Sequence, residues 1–131
     1  MDIDKFEKMV KDDFLINREN LNLKLYTIPN IHSKYLKYFY KISKNLINLE
    51  TKLEKLYIET RSYYQNEYDE VIKLNHLDFY INADDKYSKL NNKVKRKRLE
   101  LKIIEETLKR CGVISFFIKN IIDYENFLVG R

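Results

Sequence analysis

Glycine and proline are scarce in this chain. Two Gly and one Pro in 131 residues, 34% of them charged, leave few of the turn-formers that β-hairpins and phosphate-cradling loops require. Sheets are disfavoured and the composition points to all-helical architecture. The two glycines stand apart at Gly112 and Gly130, neither followed by Lys and Ser or Thr, so a nucleotide-hydrolysing P-loop is excluded. The single cysteine, Cys111, cannot form an internal disulfide. With His32 and His76 it completes the soft metal ligands, scattered without the paired spacing of a zinc site. His32 fits a helix seam, and Cys111 an apolar stripe as a small buried hydrophobe. Glu67, Asp69, Glu70, Asp78, Asp84 and Asp85 fall where capping and solvation account for carboxylates. No metal, cofactor or catalytic residue is expected. The segment from Met1 to Lys11 lacks the apolar core of a signal peptide. No apolar run is long enough to cross a bilayer, so a cytoplasmic protein without membrane partners is expected.

What is present suffices for one folded domain over residues 1–131: 44% hydrophobic residues supply a core. The net charge of +5 and the sequence pI near 9.1 favour anionic partners. Pro29 to Tyr64 carries two parallel stripes. His32, Tyr35, Phe39, Ile42, Leu46, Leu49, Leu53, Leu56, Thr60 and Tyr63 recur at steps of three and four, the period of a helix packed along a seam. Lys34, Lys37, Lys41, Lys44, Lys52 and Lys55 form a basic strip beside them. At ~1.5 Å per residue such a helix spans roughly 50 Å, with Pro29 in its first turn and Ile28 extended before it.

Around this tract the pattern predicts a short docking helix over Asp2 to Asp12, with Ile3, Phe6, Met9 and Val10 on one side. A turn follows, capped by Asn17 and running through Leu21 and Leu25. Helical register is lost near Gln65 to Glu70 and resumes with Ile72, Leu77, Tyr80 and Ile81. Asn82 to Asp85 offers caps for a new start. From Leu90, the positions Val94, Leu101, Ile104, Leu108, Cys111, Ile114, Ile118 and Ile121 mark a second long helix. The two long helices, antiparallel, make a hairpin-like body with shorter flanking helices.

A second basic cluster, Lys93, Lys95, Arg96, Lys97 and Arg98, is preceded by Lys86 and Lys89. Lys86, Lys89, Lys93, Arg96 and Lys97 form a ridge at helical spacing that mirrors the first. Either ridge alone fits a solvated face; two on packed helices point to a polyanion. Arg61, Tyr63 and Tyr64 offer base-stacking surface, unless Tyr63 ends the seam and leaves only Tyr64 or its hydroxyl exposed. At the carboxy end, Phe116, Phe117, Ile118, Ile121, Ile122, Tyr124, Phe127 and Leu128 occupy most of a helix circumference, more than a small monomer buries. Residues 113–131 are therefore expected to drive self-association, unless the amino-terminal helix covers the second face.

The chain resembles the UvsY family of phage recombination mediators over essentially its whole length. The matching residues are Ile28-Pro29-Asn30-Ile31-His32-Ser33-Lys34-Tyr35-Leu36, Leu56-Tyr57 to Tyr63-Tyr64, Asn82-Ala83-Asp84-Asp85, and Ile118-Lys119-Asn120 with Phe127 and Gly130. The resemblance implies a non-enzymatic, ring-like homo-oligomer, a hexamer or heptamer, in the cytoplasm of an infected bacterial host. It further implies binding of single-stranded DNA and loading of a RecA-type phage recombinase where a single-strand-binding protein already sits. The family carries DNA-binding basic residues at the positions held here by Ile58 and Thr60. This sequence keeps only Arg61 nearby, so the two ridges should carry more of the binding. The candidate nucleic-acid residues are Lys52, Lys55, Arg61, Tyr64, Lys86, Lys89, Lys93, Arg96 and Lys97. A helical coiled-coil scaffold or adaptor without nucleic-acid binding is the alternative.

Overall fold

The computed structural model describes residues 1–130, which are mostly helical with no strand among them. Four α-helices follow in order: α1 (Ile3–Asp13), α2 (Leu21–Ser62), α3 (Leu77–Ala83) and α4 (Asp85–Val129). A π-type turn, Tyr63–Glu67, continues α2, and one 3-10 turn, Leu74–His76, leads into α3. No helix among the described residues is long and apolar enough to cross a membrane. The chain divides into two compact units. One combines residues 1–41 with the segment from Glu100 onward, and the other is Ile42–Leu99.

In the first unit, α1 starts where Asp2 caps it, its carboxylate accepting the Lys5 amide at 3.2 Å. Phe6 and Val10 are buried and Ile3 and Met9 half-buried, which is the amphipathic stripe the sequence predicts. The helix docks through rings: Phe6 meets Tyr35 edge-on at 5.6 Å and Tyr38 at 6.0 Å, and Phe14 stacks on Tyr35 at 6.2 Å. Tyr35, fully buried, donates its hydroxyl to Asp13, which also receives Lys34 at 2.8 Å. Burial alone would raise the Asp13 carboxyl, but the Lys34 and Tyr35 hydrogen bonds and the charges of Lys34 and Lys24 hold it below its ordinary value. Burial and the same carboxylate push the Tyr35 phenol far upward.

Helix α2 begins eight residues before Pro29, so Ile28 is helical and Pro29 lies inside the helix, contrary to the sequence expectation. The reason is a strong start upstream. Asn17 and Asn20 exchange amide-to-side-chain bonds at 2.8 and 3.0 Å, and the Asn20 carbonyl then accepts the first helical bond from Lys24 at 2.8 Å. Buried Leu21, Ile28 and Ile31 add apolar contact that outweighs the hydrogen bond Pro29 cannot donate to the Leu25 carbonyl. Restoring that donor with Pro29→Ala is expected to stabilise the protein by about 1–3 kcal/mol, read as a higher urea midpoint with unchanged m-value.

The seam of α2 runs through Ile28, Ile31, Tyr35, Ile42, Leu46 and Thr60, all buried, with Phe39, Leu49, Leu53 and Leu56 half-buried. Its predicted ends do not hold: His32 is exposed, as is Tyr63 at 45%. Ile28 and Ile31 take up the seam above Tyr35, which rotates His32 outward. From α4 the first unit buries Ile104, Cys111 and Ile118, at steps of seven. Burial raises the Cys111 thiol above its ordinary value, as expected for an inert core thiol.

In the second unit, Ile42, Leu46, Leu77, Ile81 and Val94 are buried with Thr60. Helix α4 starts earlier than its apolar pattern, because Asp84 is an extended N-cap. Its side chain accepts the Tyr87 amide at 3.1 Å and its carbonyl the Ser88 amide at 2.8 Å. Ile72, counted with the resumed periodicity, lies outside any helix.

Candidate nucleic-acid interface

Within Ile42–Leu99, α2 and α4 run antiparallel, since partners descend along α4 as they climb α2. Arg98 donates to Glu50 at 3.1 and 3.2 Å, the Tyr57 and Tyr87 rings approach to 6.1 Å, and Tyr64 donates to Asp84 at 3.0 Å. Helix α3 packs on the same flank, where Tyr57 donates to Asp78 at 3.1 Å.

The cations occupy the opposite flank. Lys44, Lys52 and Lys55 fall on the side of the α2 seam away from Glu50 and Tyr57, and Lys86, Lys89, Lys93 and Arg96 on the side of the α4 seam away from Arg98. In the register that joins Glu50 to Arg98 and Tyr64 to Asp84, Lys52 is level with Arg96 and Lys55 with Lys93. The two ridges thus lie abreast and form one face with four cations at its centre. All seven of these residues are exposed, and none has an ion-pair partner among the described residues. Lys97 is half-buried at the edge of the ridge. Two exposed acids border the face at the same spacing: Glu59 follows Lys55 by four residues and Asp85 precedes Lys89 by four. The next place along α4, Glu100, is buried and takes the Met1 amine at 3.3 Å.

Two candidates stand apart. Arg61 is exposed, but it follows Tyr57 by four residues and so lies on the flank of Glu50, not with Lys52 and Lys55. Tyr64 is half-buried in a cluster with Tyr63, Tyr68 and Tyr80, at ring distances of 5.0, 5.2 and 5.8 Å. Its hydroxyl is engaged by Asp84, so of the two tyrosines counted as stacking surface the ring offered outward is Tyr63, the reverse of the alternative in which Tyr63 ends the seam. Tyr63 and Tyr64 follow the buried Thr60 by three and four residues, so helical spacing allows either on the seam, and the bond to Asp84 holds Tyr64 there.

Burial and the Asp84 carboxylate push the Tyr64 phenol up to about 12. A raised phenol contributes its stability below the ordinary value of 10.0 and loses it between 10 and about 12. Tyr64→Phe is therefore expected to cost about 0.5–1.5 kcal/mol at neutral pH and to flatten the fall in stability above pH 10, as read by denaturant melts at stepped pH.

Among the described residues, no three His, Cys, Asp or Glu gather to hold a metal. The apolar carboxy end of α4 divides. Ile118 is fully buried in its own chain, which removes it from the surface expected to self-associate, and Ile122 is half-buried. Phe116, Phe117, Ile121, Tyr124, Phe127 and Leu128 remain exposed.

Fold and face together define an all-helical class of protein in which two long helices, antiparallel where they carry it, present a continuous cationic surface. Residues 9–131 match the family described as recombination, repair and ssDNA binding protein UvsY. The chain belongs to the UvsY family. Three crystal forms of the bacteriophage T4 recombination mediator protein UvsY share the fold. Lattice type II has a TM-score of 0.91 at 19% identity, covering 98% of each chain. Type IV gives 0.89 at 20% over 97% of this chain and 98% of that one, and type I 0.86 at 19% over 94% and 98%. No sequence among curated proteins matches.

Proposed function

We propose that the protein is a non-enzymatic recombination mediator that binds single-stranded DNA without sequence specificity. The observation that carries this is the pair of ridges abreast, with unpaired exposed cations on a member of a family described by recombination, repair and ssDNA binding. Neighbouring rows of ammonium and guanidinium groups neutralise phosphates without reading bases. The exposed ring of Tyr63, at the tyrosine end of the face, supplies stacking surface. The apolar carboxy segment assembles copies into a ring-like homo-oligomer. That ring holds a strand for a RecA-type recombinase where a single-strand-binding protein already sits, in the cytoplasm of an infected bacterium.

Binding of dT oligonucleotides measured against salt tests the reading. Single-strand binding loses about 0.7 log units of affinity per decade of salt for each phosphate neutralised, so the seven cations of the face predict a steep slope. A flat dependence, or failure of the oligomeric protein to retard single-stranded DNA at low salt, would return the scaffold reading.

A further inference from the structure

The flank opposite the two ridges, which carries Arg61 and Arg98, is a second, differently built surface. A groove of about 600 Å³ lies there between α2 and α4, lined by Glu50, Glu54, Tyr57 and Ile58 from one helix and Tyr87 and Arg98 from the other. Along α2 its rim reads Glu50, Glu54, Ile58 at intervals of four, one residue per turn. Ile58 is 67% exposed. Glu54 is exposed and has no ion-pair partner among the described residues, although it follows another carboxylate by one turn, a like-charge spacing that weakens a helix. Glu50 is only partly engaged: both Arg98 contacts go to its Oε1, leaving Oε2 open. A chain of net charge +5 thus keeps two adjacent carboxylates and an aliphatic knob around an aromatic floor.

We propose that this groove docks an amphipathic helix of a partner protein, one presenting an apolar residue followed by two basic residues at four-residue intervals. Lying antiparallel to α2, such a helix sets its apolar side chain against Ile58 and Tyr57, its first cation against Glu54 and its second against the free oxygen of Glu50. The recognition is helix-in-groove, with anchors one turn apart, and the charge sign selects against an acidic segment. The surface is separate from the cationic face, and the proposal stands whether or not that face binds DNA.

The test uses the full chain and a fluorescein-labelled, alanine-based peptide helix carrying Leu, Arg and Lys at four-residue intervals. Fluorescence anisotropy should show saturable binding, weakened at least tenfold by Glu54→Lys and by Ile58→Glu and unchanged by Lys93→Ala. A peptide of the same composition with those three residues placed consecutively should bind at least tenfold more weakly. Circular dichroism checks folding, and both rim side chains are exposed. Four results overturn the proposal: no binding at millimolar protein, equal binding of the rearranged peptide, equal binding by both rim variants, or loss with Lys93→Ala. A change in native mass on Glu54→Lys, without peptide binding, would also overturn it by assigning the groove to a second copy of the chain.

Discussion

Replacing Lys52, Lys55, Lys93 and Arg96 together by alanine is expected to lower affinity for a dT oligonucleotide by roughly two to three orders of magnitude at 0.1 M salt, and to reduce the logarithmic salt slope by about 3. These four stand level across the two helices, so one strand passing along the face meets them together. The loss should be the same for dT, dA and mixed sequences, because phosphates carry no sequence information. Folding should be unharmed, since all four side chains are exposed. Arg61→Ala provides the contrast: on the other flank, it should change affinity by less than about threefold, the size of a distant charge screened by salt. Equal losses from Arg61→Ala and from the quadruple variant would place the strand elsewhere.

The second large effect separates two neighbours near the end of α4. Ile118 is fully buried, whereas Phe117 next to it is 59% and Phe127 56% exposed. Ile118→Ala should cost about 2–5 kcal/mol of folding stability, the usual range for emptying a filled core site. Phe117→Glu with Phe127→Glu should leave the urea midpoint of the folded chain nearly unchanged and shift native mass from an assembly to single chains. An exposed ring contributes little to its own fold, and a carboxylate in its place makes burial in a subunit contact costly. Native mass spectrometry beside urea melts reads both outcomes, and an assembly that survives the double substitution would remove the carboxy segment from the contact.

The long helices and their seam are readable from the chain because apolar residues at threes and fours have one low-energy answer, burial along a partner helix. Val94, Ile104, Cys111 and Ile118 lie where that spacing puts them. The boundaries were less legible. Pro29 reads as a start, yet the paired asparagines Asn17 and Asn20 nucleate the helix earlier, through side-chain hydrogen bonds that periodicity does not register. For the candidate site, spacing assigns Lys52, Lys55 and the Lys86 to Arg96 series to ridges, but a ridge on one helix has no fixed neighbour. Only the antiparallel register, set by pairs such as Tyr64 with Asp84, brings the rows side by side. The same register sends Arg61 to the far flank, and the bond to Asp84, not the spacing, decides that Tyr64 and not Tyr63 turns inward. The row Glu50, Glu54 and Ile58 can be counted along α2, but only the antiparallel register sets Tyr87 and Arg98 across from it to make a groove.

The cationic face also bears on the protein when nothing is bound. Like charges one turn apart, as in Lys86, Lys89, Lys93 and Arg96, each weaken their helix by about 0.2–0.5 kcal/mol, and a second row level with them adds to the repulsion. The folded chain therefore carries a built-in electrostatic tension, relaxed by dissolved salt or by a polyanion. Salt and a bound strand compete as relief for the same strain. Salt alone tightens the fold, and a strand does so most where salt is scarce.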